Sequence, residues 1–434
     1  MPEADSPHAW LRDSLLAAGL LSLAILCLFM PSYWSSVSLD VSVYWEAGNR
    51  MREGGADLYA PAADPENQVG EYIYPPLFAA LVAPLTWLPR GAGYWAWALL
   101  QWLAAAGATA LCAAVAGAGD QRTLRQAALP LLLAAFGAIW NNVAEGQVNL
   151  FVLCLLAGGL WQLEKGRPWR GGLLLAAAAH LKVIPVVLLP VLLLQRRFKA
   201  AAAMATCGLL LWLAPLVWTI PAHGAIEGVT RNVQLTREYV ASVAGPRVSS
   251  QDAHNLGGFR EPNNSLPAVA HRWFGDDHQL SNHTETRSPL WFALPARAAK
   301  WMGLSVAGLL FALALVFCAM RREGRHARAA GAALALMAAA MGNLLFWPHH
   351  LCNLMLLLAP LAGLKLDRDP RAGALWPLVA TLPVLCFLPL LDTWPQLMWV
   401  AIAGVPTLGV LLAWGWVAWS FRRRPAPAGE PMPA

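Results

Sequence analysis

Gly171-Gly-Leu-Leu-Leu-Ala-Ala-Ala-Ala-His180-Leu-Lys182-Val-Ile-Pro185-Val-Val-Leu-Leu-Pro190-Val-Leu-Leu-Leu-Gln195-Arg196-Arg197-Phe-Lys199 decides the class of fold. From 171 to 194 only His180 and Lys182 interrupt an otherwise apolar run, and the run ends on three basic residues. A hydrocarbon core about 30 Å thick takes about 20 such residues as a helix. The basic turn at 196–199 marks the cytoplasmic end by the positive-inside rule. Lys182 and Pro185 stand half-way along. A lone lysine deep in lipid is costly, so a break or a re-entrant hairpin is expected there.

The rest of the chain has the same character. Of its 434 residues 58% are hydrophobic and only 13% charged, with a mean hydropathy of +0.47. Soluble domains carry about 25% charged residues. Such a chain must use lipid as solvent for much of its surface. The net charge of +6 does not point to nucleic acid, because the basic residues sit in short clusters between apolar runs. The seven cysteines lie in or beside apolar segments, with no metal-ligand spacing, so neither disulfides nor a zinc site is expected. The run from Leu15 to Met30 has no clear cleavage site after it and reads as a first membrane helix.

Twelve apolar segments can be marked, at 14–31, 73–90, 93–116, 126–141, 147–163, 171–194, 199–219, 299–320, 327–347, 350–364, 374–391 and 396–420. The expected fold is an all-α polytopic membrane protein with about 10–12 transmembrane helices and two large outer loops, 32–72 and 220–298. The second half orients consistently, with Arg321–Arg328, Lys365–Arg371 and the Pro-rich tail 421–434 inside. Two arrangements fit the first half. If every segment crosses, the basic turns 117–125 and 164–170 lie outside, against the positive-inside rule. If one of 73–90 or 93–116 fails to cross and 171–194 is re-entrant, both turns move inside and Asn141–Asn149 faces out. The second arrangement is favoured.

Polar residues near the bilayer are expensive and invite a functional question. Asp40 opens Asp-Val-Ser-Val-Tyr44-Trp-Glu, with Val41, Tyr44, Trp45, Gly48 and Met51 at helical spacing. This reads as an amphipathic helix on the outer membrane face, with Asp40 as a structural N-cap or as a catalytic acid. Tyr72-Ile-Tyr74-Pro75-Pro76 fixes a helix entry. Asn141-Asn-Val-Ala-Glu145-Gly-Gln147-Val-Asn149 is an ordinary turn or the lining of a polar cavity. Lys182 pairs with an acid or holds a phosphate. His349 and His350 follow Trp347-Pro348 at an outer helix end. Neighbouring histidines on a helix diverge, so hydrogen bonding or phosphate contact fits them better than a metal. The histidines of the large loop (His223, His254, His271, His278, His283) read as solvated loop residues.

The ordered set Asp40-x-x-x-Tyr44, Asp57-Leu-Tyr59, Tyr74-Pro-Pro-Leu-Phe, Gly146-Gln-Val-Asn149, Leu181-Lys-Val-Ile-Pro185, Asn263-Asn-Ser-Leu266 and Trp347-x-His-His350 resembles glycosyltransferase family 87. That resemblance implies a GT-C-type bundle acting as one membrane domain, residues 1–434. It implies transfer of a sugar, with mannose the family default, from a polyprenyl-phosphate donor to a glycolipid or glycan acceptor. The expected setting is a bacterial inner membrane with the site facing the periplasm or exterior. Asp40 would be the general base of an inverting reaction. Tyr44, Asp57, Tyr74, Gln147, Asn149, Asn264 and Arg272 would line the substrate site, and Lys182, His349 and His350 would meet the donor phosphate. Glu46, Asp57 and Asp64 are candidates for supporting Asp40. No metal and no cofactor are expected. The alternatives are a transporter or flippase of a lipid-linked substrate, and a non-catalytic scaffold.

Overall fold

The structure is a computed structural model and describes residues 7–36, 39–60, 71–117, 121–244, 263–275, 292–373, 375–387 and 404–422. His254, His278, His283, Asp64, the turn 392–396 and the tail beyond Arg422 lie outside the described residues. Among the described residues the secondary structure is helical, apart from one bridge between Gly275 and Leu294.

The helices are α1 (Pro7–Ser36), α2 (Asp40–Arg52), α3 (Pro76–Val82, continued by a 3-10 turn Ala83–Trp87), α4 (Arg90–Val115), α5 (Gln121–Ala144) and α6 (Asn149–Glu164). Then come α7 (Pro168–Leu181), a 3-10 turn (Ile184–Val187), α8 (Leu188–Leu194), α9 (Phe198–Leu211), α10 (Leu216–His223) and α11 (Ala225–Glu238). The last group is α12 (Leu266–Phe274), α13 (Ala296–Met320), α14 (Arg325–Gly342), a 3-10 turn (Pro348–Asn353), α15 (Leu354–Leu366), α16 (Leu375–Phe387) and α17 (Val405–Ser420). Among the described residues six helical stretches are long and apolar enough to cross a membrane, and four shorter apolar ones accompany them. The most apolar parts of α1 and α13 are only 22% buried, whereas the stretch Pro348–Leu366 is 83% buried. All three are apolar. The exposed pair therefore needs lipid around it, while Pro348–Leu366 forms the centre of the bundle.

Contacts between chain-distant turns divide the helix ends into two layers. One layer is rich in arginine. Arg125 pairs with Asp13 at 2.8 Å, Arg325 and His326 meet Asp367 at 3.1 and 2.9 Å, and Gly117 packs against the Arg325 guanidinium. In the same layer Glu164 accepts from Arg197 and, at 2.6 Å, from Arg328. The opposite layer is polar and aromatic. Trp34 Nε1 donates to Ala144 O at 2.8 Å, Trp97 Nε1 to Gly146 O at 2.9 Å, and Thr407 Oγ1 to Asn264 O at 2.7 Å.

This layering shows the path of the first half. The turns at 117, 164–167 and 195–197 share the arginine layer, so the chain from α7 to α8 leaves that layer and returns to it. It turns at Lys182, whose extended backbone (φ −153°, ψ 124°) ends α7. The segment 171–194 is thus a hairpin. Irregular backbone at such a depth is tolerated only against protein or a water-filled cavity. The segment 73–90 does not cross either. Tyr74 at its start meets Tyr44, and Thr86 near its end accepts from Arg52 of α2 at 2.9 Å. Both its ends stand in the polar layer.

Helix α2 differs from expectation. Val41, Val43, Tyr44, Ala47, Gly48 and Met51 are buried against protein, with Gly48 close to Val82 and Thr86 and Trp45 against Tyr94. Its apolar stripe serves the bundle and does not lie on lipid, because α3 and α4 cover it.

The Glu164 cluster is a staple across three turns. The side chains of Glu164, Arg197 and Arg328 are 18%, 16% and 25% exposed. Glu164→Ala leaves two largely buried guanidinium groups facing each other. Removing one partner of a buried pair costs about 3–5 kcal/mol. The expected result is a thermal unfolding midpoint in detergent lower than wild type by several degrees, with Glu164→Gln intermediate. An unchanged midpoint contradicts the staple.

Candidate active site

Asp40 is the first residue of α2, and the cap position belongs to Leu39, whose carbonyl closes the turn onto Ser42 N at 2.9 Å. The cap reading of Asp40 is therefore corrected: no side-chain cap bond forms, and its carboxylate instead accepts a short hydrogen bond from Gln147 Nε2. An aspartate spared from capping and aimed at a buried amide is available for other chemistry.

Gln147 is the centre of the site. Its Oε1 lies 3.1 Å from Tyr44 OH, 3.3 Å from Tyr74 OH and 3.5 Å from Asn149 Nδ2. The two phenols are 2.9 Å apart. Its backbone carbonyl accepts from Gln101 Nε2 at 2.5 Å and Asn142 Nδ2 at 2.9 Å. Asn142 Oδ1 in turn accepts from Asn149 Nδ2 at 3.1 Å. Asn149 Oδ1 accepts from Lys182 Nζ at 2.6 Å, and the same Nζ lies 2.5 Å from His350 Nε2. On the other side of the ring, Nδ1 lies 2.9 Å from Trp347 N and 3.2 Å from the Trp347 carbonyl, which fixes the imidazole against its own turn. Asp40 and the Lys182–His350 pair thus end one continuous relay, Asp40–Gln147–Asn149–Lys182–His350, assembled from four separate stretches of chain. Buried networks of this kind hold their members in a single arrangement when every member is satisfied.

The fold explains how these residues meet. The turn after α5 lifts Gln147 and Asn149 into the polar layer, and the α7–α8 hairpin pushes Lys182 up to them from the other side. His350 arrives on the 3-10 turn Pro348–Asn353. In that tighter turn the His349 and His350 rings do not diverge; their centroids are 4.6 Å apart, and His350 also stacks on Phe346 at 5.6 Å. The divergence expected of an α-helix is corrected by this 3-10 geometry. Among the described residues no cluster of three His, Cys, Asp or Glu side chains is placed to hold a metal.

The remaining residues singled out from sequence lie further off. Asn264 N donates to Phe346 O at 2.7 Å, and Arg272 Nη1 to Asn263 O at 2.8 Å. Asn263 also binds Leu344 O and Phe346 N. This stretch holds residues 344–346, which lead into the histidine turn. Asp57 lies in a separate cleft beside α11.

Electrostatics set the two acids apart. Burial pushes the Asp40 carboxyl above the ordinary carboxylate range, against the pull of the Gln147 hydrogen bond and the Lys182 charge. Glu145, on the same turn as Gln147, is raised to about 7, first by burial and then by the charge of Asp40. Two nearby carboxylates resist ionising together. The two acids therefore oppose each other's ionisation, and Asp40 is the one drawn toward its anion by Gln147 and Lys182. Glu145 is an acid whose titration senses the charge of Asp40.

Residues 72–260 match the family model described as Glycosyltransferase family 87. Over that stretch, which is under half of the chain, the sequence is similar to glycosyltransferase family 87. The stretch matched carries Tyr74, Gln147, Asn149 and Lys182, four members of the site. The "polyprenol-phosphate-mannose-dependent alpha-(1-2)-phosphatidylinositol mannoside mannosyltransferase" of Mycobacterium tuberculosis is 26% identical over 335 residues, which is 72% of this chain and 67% of that protein. No solved structure matches the chain. Both similarities are to glycosyltransferases, and the polar layer of the bundle is the place to look for such a reaction.

Gln101, Asn142 and Trp97 complete the support of Gln147. Gln101 had a sequence signal, an isolated amide inside the apolar α4. Trp97 had none. Gly146 is required by geometry: its φ is +68°, and a Cβ there would stand 2.8 Å from Val41 Cβ. Left-handed backbone costs a non-glycine residue about 1–3 kcal/mol, and the clash would also shift α2 and Asp40. Gly146→Ala should therefore lose transfer activity along with some thermal stability. Activity and midpoint both equal to wild type would contradict this placement of α2 on the turn.

Proposed function

We propose that the enzyme transfers a mannosyl group from a polyprenyl-phosphate donor to a hydroxyl of a glycolipid or glycan acceptor, with Asp40 as general base. The single observation behind this reading is the relay that separates an anionic Asp40 from a cationic Lys182 by two amide side chains. The acceptor O–H gives its proton to the Asp40 carboxylate as its oxygen bonds to the anomeric carbon. The bond from that carbon to the phosphate oxygen breaks, and the leaving polyprenyl phosphate takes the electron pair. Its charge is met by Lys182, with His350 and His349 beside it. Preorganised charge at a leaving group acts most strongly in a site shielded from water. Attack opposite the leaving group inverts the anomeric centre, so a β-linked donor gives an α-linked product. Gln147, Tyr44, Tyr74 and Asn149 hold the base and present hydrogen-bonding groups to sugar hydroxyls.

The arginine layer is the cytoplasmic one under the positive-inside rule. The site then opens on the outer face of a bacterial inner membrane, where a lipid-linked donor takes the place of a nucleotide sugar. The matching relative's printed substrates support mannose and a lipid acceptor.

Purified enzyme in nanodiscs, given β-linked polyprenyl-phosphate mannose and a bacterial lipid extract, should produce a mannosylated lipid with an α-linkage by NMR. A β-linked product would rule out direct displacement, and absence of transfer would rule out the reading. The pH profile supplies a second check. Only ionised Asp40 accepts a proton, so kcat/KM should fall on acidification with a midpoint above the ordinary value near 3.9. A rate flat down to pH 4 would contradict the raised carboxylate.

A further inference from the structure

A second polar cleft lies beside the site and is not used by the chemistry above. It has a volume of about 480 Å³ and is lined by Ala56, Asp57, Tyr59, His223, Arg231 and Glu238. Its floor is a tightly held loop. Asp57 adopts left-handed backbone (φ 53°), and Arg50 Nη1 clamps the carbonyls of Asp57 and Ala60 at 2.6 and 2.9 Å. Such conformations persist where the surroundings over-determine them and cluster at ligand sites. Arg231 is fixed too: its Nη1 meets Glu238 at 2.6 Å, and its side chain is only 16% exposed. Its Nε–H is buried with no acceptor among the described residues. A buried donor without an acceptor is costly, so a ligand or water oxygen is called for.

The charges identify the ligand class. Among the described residues Arg231 is paired with Glu238 and Arg50 with Glu46, while Asp57 adds a further carboxylate to the lining, so no surplus positive charge is at hand for a phosphate. Acidic groups, an arginine donor and the Tyr59 ring are what a neutral polyol needs. The cleft also communicates with the site: Tyr59 OH donates to Tyr74 O at 3.0 Å, and Tyr59, Tyr72 and Tyr74 form a row with centroids 5.7 and 5.8 Å apart. The other side of the cleft wall is apolar. Ile226, Val229 and Val233 on α11, with Val240 beyond it, are 85%, 46%, 46% and 54% exposed. This stripe continues the exposed Leu209, Leu213 and Val217 of the membrane-crossing stretch Phe198–His223. A helix with one apolar and one polar face in that position lies in the bilayer surface.

We infer that this cleft seats a neutral saccharide unit of the acceptor, remote from the reacting hydroxyl, at the height of the lipid headgroups. The assignment rests on the transferase reading above and adds where the acceptor is held. Its test is binding of tritiated octyl α-mannoside to the full chain in phosphatidylcholine nanodiscs. Ala56→Trp fills the cleft from an exposed position without removing a hydrogen bond, and Arg231→Gln removes the guanidinium. Each should weaken binding about 10-fold or more, the loss of one charge-assisted hydrogen bond or its equivalent. Wild-type affinity in Ala56→Trp, no binding to wild type, or displacement of the probe by lysophosphatidylglycerol would overturn the assignment. A parallel transfer assay separates the two claims. Transfer with an unchanged acceptor KM in Ala56→Trp sinks the cleft and leaves the transferase standing. Absent transfer, with binding still lost in Ala56→Trp, sinks the transferase and keeps a saccharide site.

Discussion

Lys182→Met should lower kcat for sugar transfer by about 10²–10³-fold. The estimate follows from removing one preorganised group aimed at developing negative charge, typically about 3–4 kcal/mol. Lys182 is suited to that task by its place at the tip of the α7–α8 hairpin, bonded to Asn149 Oδ1 at 2.6 Å and against His350. Methionine keeps the length and apolar stem but loses the charge, so the hairpin should retain its packing. The charge on the departing phosphate is greater in the transition state than in the bound donor. The loss should therefore fall mainly on kcat, with a smaller rise in donor KM. Lys182→Arg keeps the charge but not the compact ammonium geometry, and should recover part of the rate. Steady-state kinetics of the three proteins check this. A Lys182→Met enzyme within threefold of wild-type kcat would remove the lysine from the chemistry.

Asp40→Asn should be the more damaging substitution, because it abolishes the base while keeping the shape. A positioned base contributes about 10²–10⁴-fold, and among the described residues no other carboxylate shares the Gln147 hydrogen bond. The amide can still meet Gln147 by turning its oxygen toward Nε2, so α2 should stay in place. Donor KM should change little, since Asp40 acts on the acceptor proton. Hydrolysis of the donor by water should fall in parallel, because water needs the same base. Asp40→Ala, which also leaves Gln147 Nε2 without its acceptor, should be as inactive and less stable.

Much of the fold is visible in local sequence. Apolar length marks the membrane segments. Lys182 and Pro185 mark the break in 171–194, because lipid tolerates neither an unpaired ammonium nor a missing backbone donor without compensation. The basic turns at 122–125 and 164–170 already disfavoured twelve straight crossings, and the Glu164–Arg197–Arg328 cluster supplies the physical contact that places 164 beside 197 and 328. The pairings themselves were not readable. Lys182 and His350 meet across 168 positions, and Asp40 and Gln147 across 107. Periodicity reports which face of a helix is apolar but not what covers it. For the same reason α2 read as a lipid-facing helix, although α3 and α4 bury its stripe. Asp40 read equally well as a cap, since a helix-opening aspartate has one local signature for two uses. Glu145 stood in view among amides; its coupling to Asp40 depends on a fold that brings the turn after α5 over the start of α2.

The central claim is that Asp40 takes the acceptor proton during sugar transfer. The most direct measurement is single-turnover transfer of radiolabelled mannose from polyprenyl-phosphate mannose, in nanodiscs, by wild type and by Asp40→Asn with matching thermal midpoints. Wild type should transfer, and Asp40→Asn should be slower by at least about 10²-fold while still binding donor. Transfer by Asp40→Asn within a few-fold of wild type would contradict the account and move the base elsewhere in the polar layer.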